Sequence, residues 1–351
     1  MINLPINFKL IVSFICGSQL YGTATKDSDE DLRGVFIPSK EYFYGFLHRV
    51  EQYEDKINDI TYYDIRKFMS LAINNNPNIV EFLFVPTNKW INSSNEWESI
   101  IENKEYFLSR KCKHTFLGYA HSQLNRIKRH RGWLLNPPKE KPIREKYGLL
   151  EHKSFFSKDQ IGAFNMLLSM YLKQIGKIHK LRIELEEMEE TVTYLTLCQN
   201  LTEVDYKSVQ KILPISDNMV EALDREKKYI NAMQQWQAYQ RWKKNRNPDR
   251  AVLESKYGFD TKHGSHLFRL ITEGEELLTT GHITFPRPDA ELLLDIRNGK
   301  WTYDQLIEKV QDFENKFEYL YIYSILPKKP NRKKIDALCV DIVKEYLHCI
   351  Q

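Results

Sequence analysis

The sequence predicts an α+β protein, with an N-terminal α+β domain over residues 1–98 and a mostly α-helical domain over residues 99–351. Three features carry that expectation. Short runs rich in β-branched and aromatic residues, each closed by Gly or Pro, crowd the first hundred residues. Beyond residue 98 the apolar residues recur at helical spacing over long stretches. No internal repeat or low-complexity tract is evident, so a solenoid is not expected, and 351 residues suit about two domains.

Residues 9–16 (KLIVSFIC) read as a buried strand that stops at Gly17. Residues 18–22 can form one helical turn, and 23–28 a polar loop. Residues 29–38 (DEDLRGVFIP) read as a second strand ended by Pro38, and 59–63 (DITYY) as a third. From Asp64 to Ile73 the period turns helical, with Ile65, Phe68, Met69 and Ala72 on one side, and the run from Asn74 to Pro77 breaks it. Residues 78–84 then carry apolar side chains towards Pro86. Further on, Phe116, Tyr119, Ala120, Gln123, Leu124 and Ile127 mark one helix face, and 132–142 reads as a loop. Two long helices are expected over 158–188 and 218–246, the second ended by Asn247-Pro248. Another should begin near Asp260 and Thr261, which suit N-capping.

Composition excludes several classes. Hydrophobic residues at 42% and aromatics at 13% rule out a mainly disordered chain. Apolar runs such as 10–16 fall well short of the roughly 20 residues that span a bilayer. Residues 1–8 lack a basic start followed by a long apolar stretch, so no secretion signal is expected. Five scattered cysteines without a CxxC pair argue against a disulfide framework or a cysteine zinc site, and a cytoplasmic location follows as the default. Net charge is only +4, but it is unevenly spread. Residues 110–153 hold 12 Lys/Arg against 3 Asp/Glu, and 225–250 hold 8 against 2, with an acidic stretch over 184–190 between them. Basic clusters attract polyanions by counterion release, although solvated helix faces carry charge in the same way.

The chemistry-bearing segment is residues 17–31, GSQLYGTATKDSDED. Gly17 lets the backbone bend after the first strand without a Cβ to block a ligand. Ser18 opens a helical turn whose free N–H groups and hydroxyl suit a phosphate. Asp29 and Asp31, two apart on the expected strand, turn their carboxylates to one face. Their repulsion is relieved by a cation, and a pair of Mg²⁺ ions bridging them to a substrate triphosphate answers that need, with Mn²⁺ as the alternative ion. Asp59, opening the third strand, is the preferred third carboxylate. Asp64 is its main rival but reads as a helix start, while Asp27 falls in the loop and Glu30 on the opposite strand face.

A Gly-Ser pair, a ten-residue spacer from Gln19 to Ser28 and a strand-borne Asp-x-Asp resemble the polymerase-beta-like nucleotidyltransferase superfamily. The stretch GSQLYGTATKDSDEDLRGVFIP is similar to the RNA-repair-pathway (RNA-ligase-associated) predicted nucleotidyltransferases, in which a strand Asp precedes an Arg-Lys pair, an Asn-Pro and a Glu. Asp59, Arg66, Lys67, Asn76, Pro77 and Glu81 occur here in that order. Residues 245–283 and 292–306 also resemble that family's C-terminal blocks, with Gly264 where a residue such as Ala is expected; 132–240 resemble nothing nameable. The resemblance implies a mixed-sheet catalytic domain and Mg²⁺-dependent transfer of a nucleoside monophosphate from an NTP. Gly17 and Ser18 would grip its β- and γ-phosphates.

Lys262, His266 and Arg269, spaced i, i+4, i+7, share one face of the expected helix and could clamp a triphosphate or acceptor phosphates. An exposed face pairing with Glu273 or Glu276 is the plainer alternative. His263 with His266 lacks an obvious third ligand for zinc. Gly118, inside the first long helix, suggests close packing or ligand approach, and Tyr119 with Gln123 could meet a base or the core. Arg126, Lys128, Arg129 and Arg131, with Arg246 and Arg250, are candidate RNA contacts, although cations also suit a helix end. Together these favour an RNA end, a tRNA-like one included, as acceptor, with no membrane partner. A protein hydroxyl is the alternative acceptor, and a nucleic-acid-binding module with a degenerate site the alternative outside catalysis.

Overall fold

The structure is a computed structural model that describes residues 8–26, 28–151 and 216–348. The helix expected over 158–188, the acidic stretch 184–190 and Asp27 lie outside the described residues. Contacts divide the chain into a unit of residues 1–134 with 247–351 and a unit of residues 135–246.

The first unit is built on a five-stranded mixed sheet, ordered β3-β4-β2-β1-β5. β1 (Lys9–Cys16) pairs antiparallel with β2 (Asp31–Ile37) on one side and β5 (Trp90–Ser93) on the other. β2 runs parallel to β4 (Ile60–Asp64), which forms a hairpin with β3 (Gln52–Asp55). The mixed sheet followed by helices is the expected α+β architecture. The apolar run of β1 is buried on both faces, with Ile11, Val12 and Phe14 fully enclosed.

Two strand starts differ from the sequence reading. β2 begins at Asp31 rather than Asp29, because its ladder to β1 ends where Cys16 faces Asp31 and the chain then bends away at Gly17. β4 begins at Ile60, because Asp59 closes the hairpin turn with φ +47. The short edge strands β3 and β5 carry little periodic signal and were not expected.

The helices follow their patterns more closely. α1 (Gly17–Tyr21) is a single turn capped by left-handed Gly22. α2 (Lys40–Tyr44) follows β2, and α3 (Ile65–Ile73) buries Ile65, Phe68, Met69 and Ala72 as its spacing predicts. Asp64 caps α3, accepting from Arg66 N–H at 2.7 Å. α4 (Pro77–Val80) and a 3₁₀ turn (Glu81–Phe84) sink the next apolar segment into the core. α5 (Asn95–Glu102) and the long α6 (Cys112–Leu135) follow; α6 buries Phe116, Ala120, Leu124 and Ile127.

After residue 247 come α8 (Pro248–Tyr257), α9 (Thr261–Thr280), α10 (Ala290–Arg297), α11 (Tyr303–Tyr323) and α12 (Arg332–His348). Asp260 caps α9 as expected, through His263 N–H at 3.0 Å. One hydrophobic core joins the sheet residues Ile11 and Phe14 to Phe268, Ile271, Leu293 and Phe317 of these helices. Gly264 is packed so tightly that a Cβ would stand 2.9 Å from Leu306, which explains the smallest residue there. A Cβ on Gly118 would meet nothing within 4 Å, so close packing does not account for that glycine.

In the second unit, α7 (Asp217–Lys244) packs with a 3₁₀ turn (Arg144–Tyr147), where Tyr147 meets Tyr229 edge-on at 5.8 Å. No described helix is long and apolar enough to cross a membrane. The described cysteines, Cys16, Cys112 and Cys339, are unpaired.

Candidate active site

Parallel pairing of β2 with β4 sets the site. Leu32 lies opposite Ile60, and Leu32 N–H donates to Asp59 carbonyl at 3.1 Å, so Asp31 and Asp59 leave the same end of neighbouring strands. Their carboxyls are in hydrogen-bond contact. Burial, then the hydrogen bond and charge of Asp59, push Asp31 up to about 6. Asp59 is held below its ordinary value, first by accepting that hydrogen bond and also by Arg33. The two carboxyls therefore resist being ionised together, and the resistance falls on Asp31.

Gly17 makes room for this arrangement. Its φ is +62, and a Cβ there would fall 1.7 Å from Asp31 Oδ2. The bend is shaped by backbone bonds, with Thr23 N–H donating to Ser18 carbonyl at 3.0 Å. Ser18 is half-buried at the start of α1. Asp29 is exposed in the coil before β2, and its charge acts on Asp31. Glu30 is exposed beside it. Asp64 lies at the opposite end of β4, facing Phe36 across the ladder and chelated by Arg66 at 3.0 and 2.8 Å. Strand geometry thus brings Asp59, and not Asp64, to Asp31.

Two carboxyls pressed together, one of them resisting ionisation, form a hard-oxygen pair of the kind a divalent cation relieves. Asp29 is near enough to add charge. Among the described residues, no three His, Cys, Asp or Glu side chains stand in a ready metal-holding group.

Residues 4–136 match the family model described as the RNA repair pathway DNA polymerase beta family. Over this N-terminal segment the chain is similar to that family. An uncharacterized 38.9 kDa protein from the nrdC-mobD intergenic region of Enterobacteria phage T4 is 22% identical over 328 residues, 88% of this chain and 89% of the phage protein. The uncharacterized protein YcgL of Bacillus subtilis strain 168 is 30% identical over 78 residues, covering 21% of this chain and 30% of that protein. No solved structure matches.

Within the family segment, Arg33 is a site residue that the sequence reading missed. Its Nη2 donates to Asp59 Oδ1 at 2.9 Å and lies 3.6 Å from Asp31 Oδ1; its Nη1 donates to Asp59 carbonyl at 2.6 Å. Its place two residues after Asp31 on a strand was the available signal. The other family motif residues brace the fold. Arg66 stacks 4.1 Å over the Phe43 ring, Lys67 binds Glu51 and Gln52, and Asn76 caps α4 while donating to Tyr119 hydroxyl at 2.8 Å. Glu81, 2% exposed, is the buried counter-ion of Arg269.

The candidate cations separate into different environments. Lys262 is exposed, and its charge reaches Asp59. His266 is half-buried, whereas Arg269 is only 4% exposed and bound to Glu81 and Glu273, so it does not share the open face of Lys262. Arg126, Lys128 and Arg129 are exposed on α6. Arg131 instead donates to Gly258 carbonyl at 2.9 Å and stacks 4.4 Å over Tyr303. Arg250 contacts His263 at 2.9 Å and lies 3.6 Å from Asp260. Arg246 belongs to the second unit, 4.7 Å over the Trp242 ring.

Proposed function

We propose that this chain is a nucleotidyltransferase that moves a nucleoside monophosphate from an NTP to the hydroxyl of an RNA end, tRNA-like ends included, with release of pyrophosphate. The observation that carries this reading is the contact between Asp31 and Asp59 beside the side-chain-free bend at Gly17. It accords with the family of the N-terminal segment, whose description places it in RNA repair.

In this reading Asp29, Asp31 and Asp59 would hold two Mg²⁺ ions, which supply charge neutralisation for the triphosphate and acidify an acceptor hydroxyl. Ser18 donates its hydroxyl to the β- and γ-phosphates at the bend that Gly17 opens. Lys262, whose charge acts on Asp59, offers a point charge to the same phosphates. Arg33 keeps Asp59 ionised, so that this carboxylate is ready on the acceptor side. In-line attack on the α-phosphorus then depends mainly on positioning. Residues 1–98 supply the acids, and the basic residues Arg126, Lys128 and Arg129 of the C-terminal portion offer a backbone-binding surface for RNA.

The test uses α-labelled nucleotides with RNA and polypeptide acceptors and Mg²⁺. Label in RNA is expected, and it should vanish in Asp29→Asn, Asp31→Asn and Asp59→Asn while each variant stays folded. Label in polypeptide would move the acceptor to protein. RNA binding without pyrophosphate release, or full transfer by all three variants, would overturn the reading.

A further inference from the structure

A buried polar network joins α1 to α9 behind the open face of Lys262. Tyr21 hydroxyl donates to Glu81 Oε2 at 2.7 Å, and Glu81 Oε1 accepts from Arg269 Nη1. The same Nη1 donates to both Glu273 oxygens, at 3.1 and 3.2 Å. The guanidinium lies 4.2 Å over the Tyr21 ring. Its second nitrogen, Nη2, meets His266 Nδ1 at 2.9 Å.

That last contact has only one chemical sense. A guanidinium has no acceptor and does not lose its proton in proteins, so Nδ1 must offer a lone pair. The ring proton is then on Nε2. Among the described residues Nε2 has no protein partner, and it is not among the sealed, unpartnered buried atoms. The charged and titratable groups acting on the ring are Arg269 and His263 of α9, Arg126 of α6 and Arg250 of α8. Burial, then these neighbours, hold His266 down to about 2, so it stays neutral.

We propose that Arg269 is a positioning residue that locks His266 as its neutral Nε2–H tautomer, so that α9 presents a fixed hydrogen-bond donor to an anionic oxygen of the nucleotide, one turn from Lys262. The proposal rests on the nucleotidyl-transfer reading for its ligand and on the network alone for the tautomer. It replaces direct phosphate binding by Arg269, which is buried with its Nη1 on two carboxylates and its Nη2 on the imidazole. It also gives the buried Glu81 a purpose, since Glu81 ties Arg269 to the turn that carries Gly17 and Ser18.

Long-range nitrogen–proton NMR of histidine-labelled protein reads the ring directly. A neutral His266 with a bare Nδ1 is expected from about pH 5 to about pH 8. A proton on Nδ1, or a charged ring in that range, overturns the proposal. Calorimetry with inorganic triphosphate and Mg²⁺ tests the donor. His266→Gln places an amide N–H near the Nε2 position and should bind within about twofold of wild type. His266→Asn mimics Nδ1 instead and should bind about tenfold more weakly, the effect of one hydrogen bond to a charged group. Equal binding by both variants and the wild type, or loss in the Gln variant alone, refutes the donor role. The spectrum needs no turnover, so failure of the transfer reading would appear separately, as missing labelled product beside the expected ring state.

Discussion

Replacing Gly17 by alanine places a single methyl group against the carboxyl on which the site depends. Two costs add. The backbone φ of +62 is left-handed, which costs a non-glycine residue about 1–2 kcal/mol. The new Cβ would also stand 1.7 Å from Asp31 Oδ2, about half an ordinary carbon–oxygen contact of roughly 3.3 Å. Asp31 must retreat by more than an ångström, which breaks its hydrogen bond to Asp59, a further loss of about 1 kcal/mol. The sum, about 2–3 kcal/mol, corresponds to a fall in Tm of roughly 4–10 °C. Activity should suffer more, because a misplacement of about 1 Å in a positioned group can cost about a hundredfold in rate. Thermal denaturation and transfer of labelled nucleotide measure the two effects separately. Gly118→Ala is the control: it is exposed in mid-helix, a Cβ there meets nothing, and it should gain up to about 1 kcal/mol. A Gly17→Ala variant with wild-type stability and rate would refute the close approach of the bend to Asp31.

Two further outcomes follow from the same geometry. Because the folded state raises Asp31 from 3.8 to about 6, its stabilising contribution is complete below the unfolded value and is lost as pH rises through about 6. Asp31→Asn mimics the protonated form, so in chelator it should be about 1–2 kcal/mol more stable than wild type near pH 8, allowing for partial exposure, and no more stable near pH 3; equal urea midpoints at both pH values would contradict the upward shift of Asp31. Asn75, fully buried with φ +51, donates to Phe107 carbonyl at 2.6 Å and accepts from Ser109 Oγ at 2.7 Å, linking the α3–α4 turn to the start of α6. Asn75→Ala should lose about 2–4 kcal/mol in urea unfolding, and a loss below about 1 kcal/mol would show that the junction is not held there.

Local pattern alone determined a good deal of this protein. The helical period of residues 65–73, the Asp260 cap of α9 and the buried run of β1 depend on neighbours a few residues apart, and all three form where the sequence predicts. The bend at Gly17 and the acid at Asp59 were legible for the same reason, since glycine after a buried strand and an acid at a strand start are short-range signals. Tertiary structure decided which side chains meet. The ladder between β2 and β4 sets Asp59 beside Asp31 and carries Asp64 to the far end; it also brings Arg33 onto both site carboxyls. Helical spacing put Lys262, His266 and Arg269 on one face, yet Arg269 turns inward to Glu81, 188 residues away in sequence, while Lys262 stays in solvent. Periodicity reports which face of an element a residue occupies; whether that face meets water or a buried counter-charge depends on the distant element packed against it.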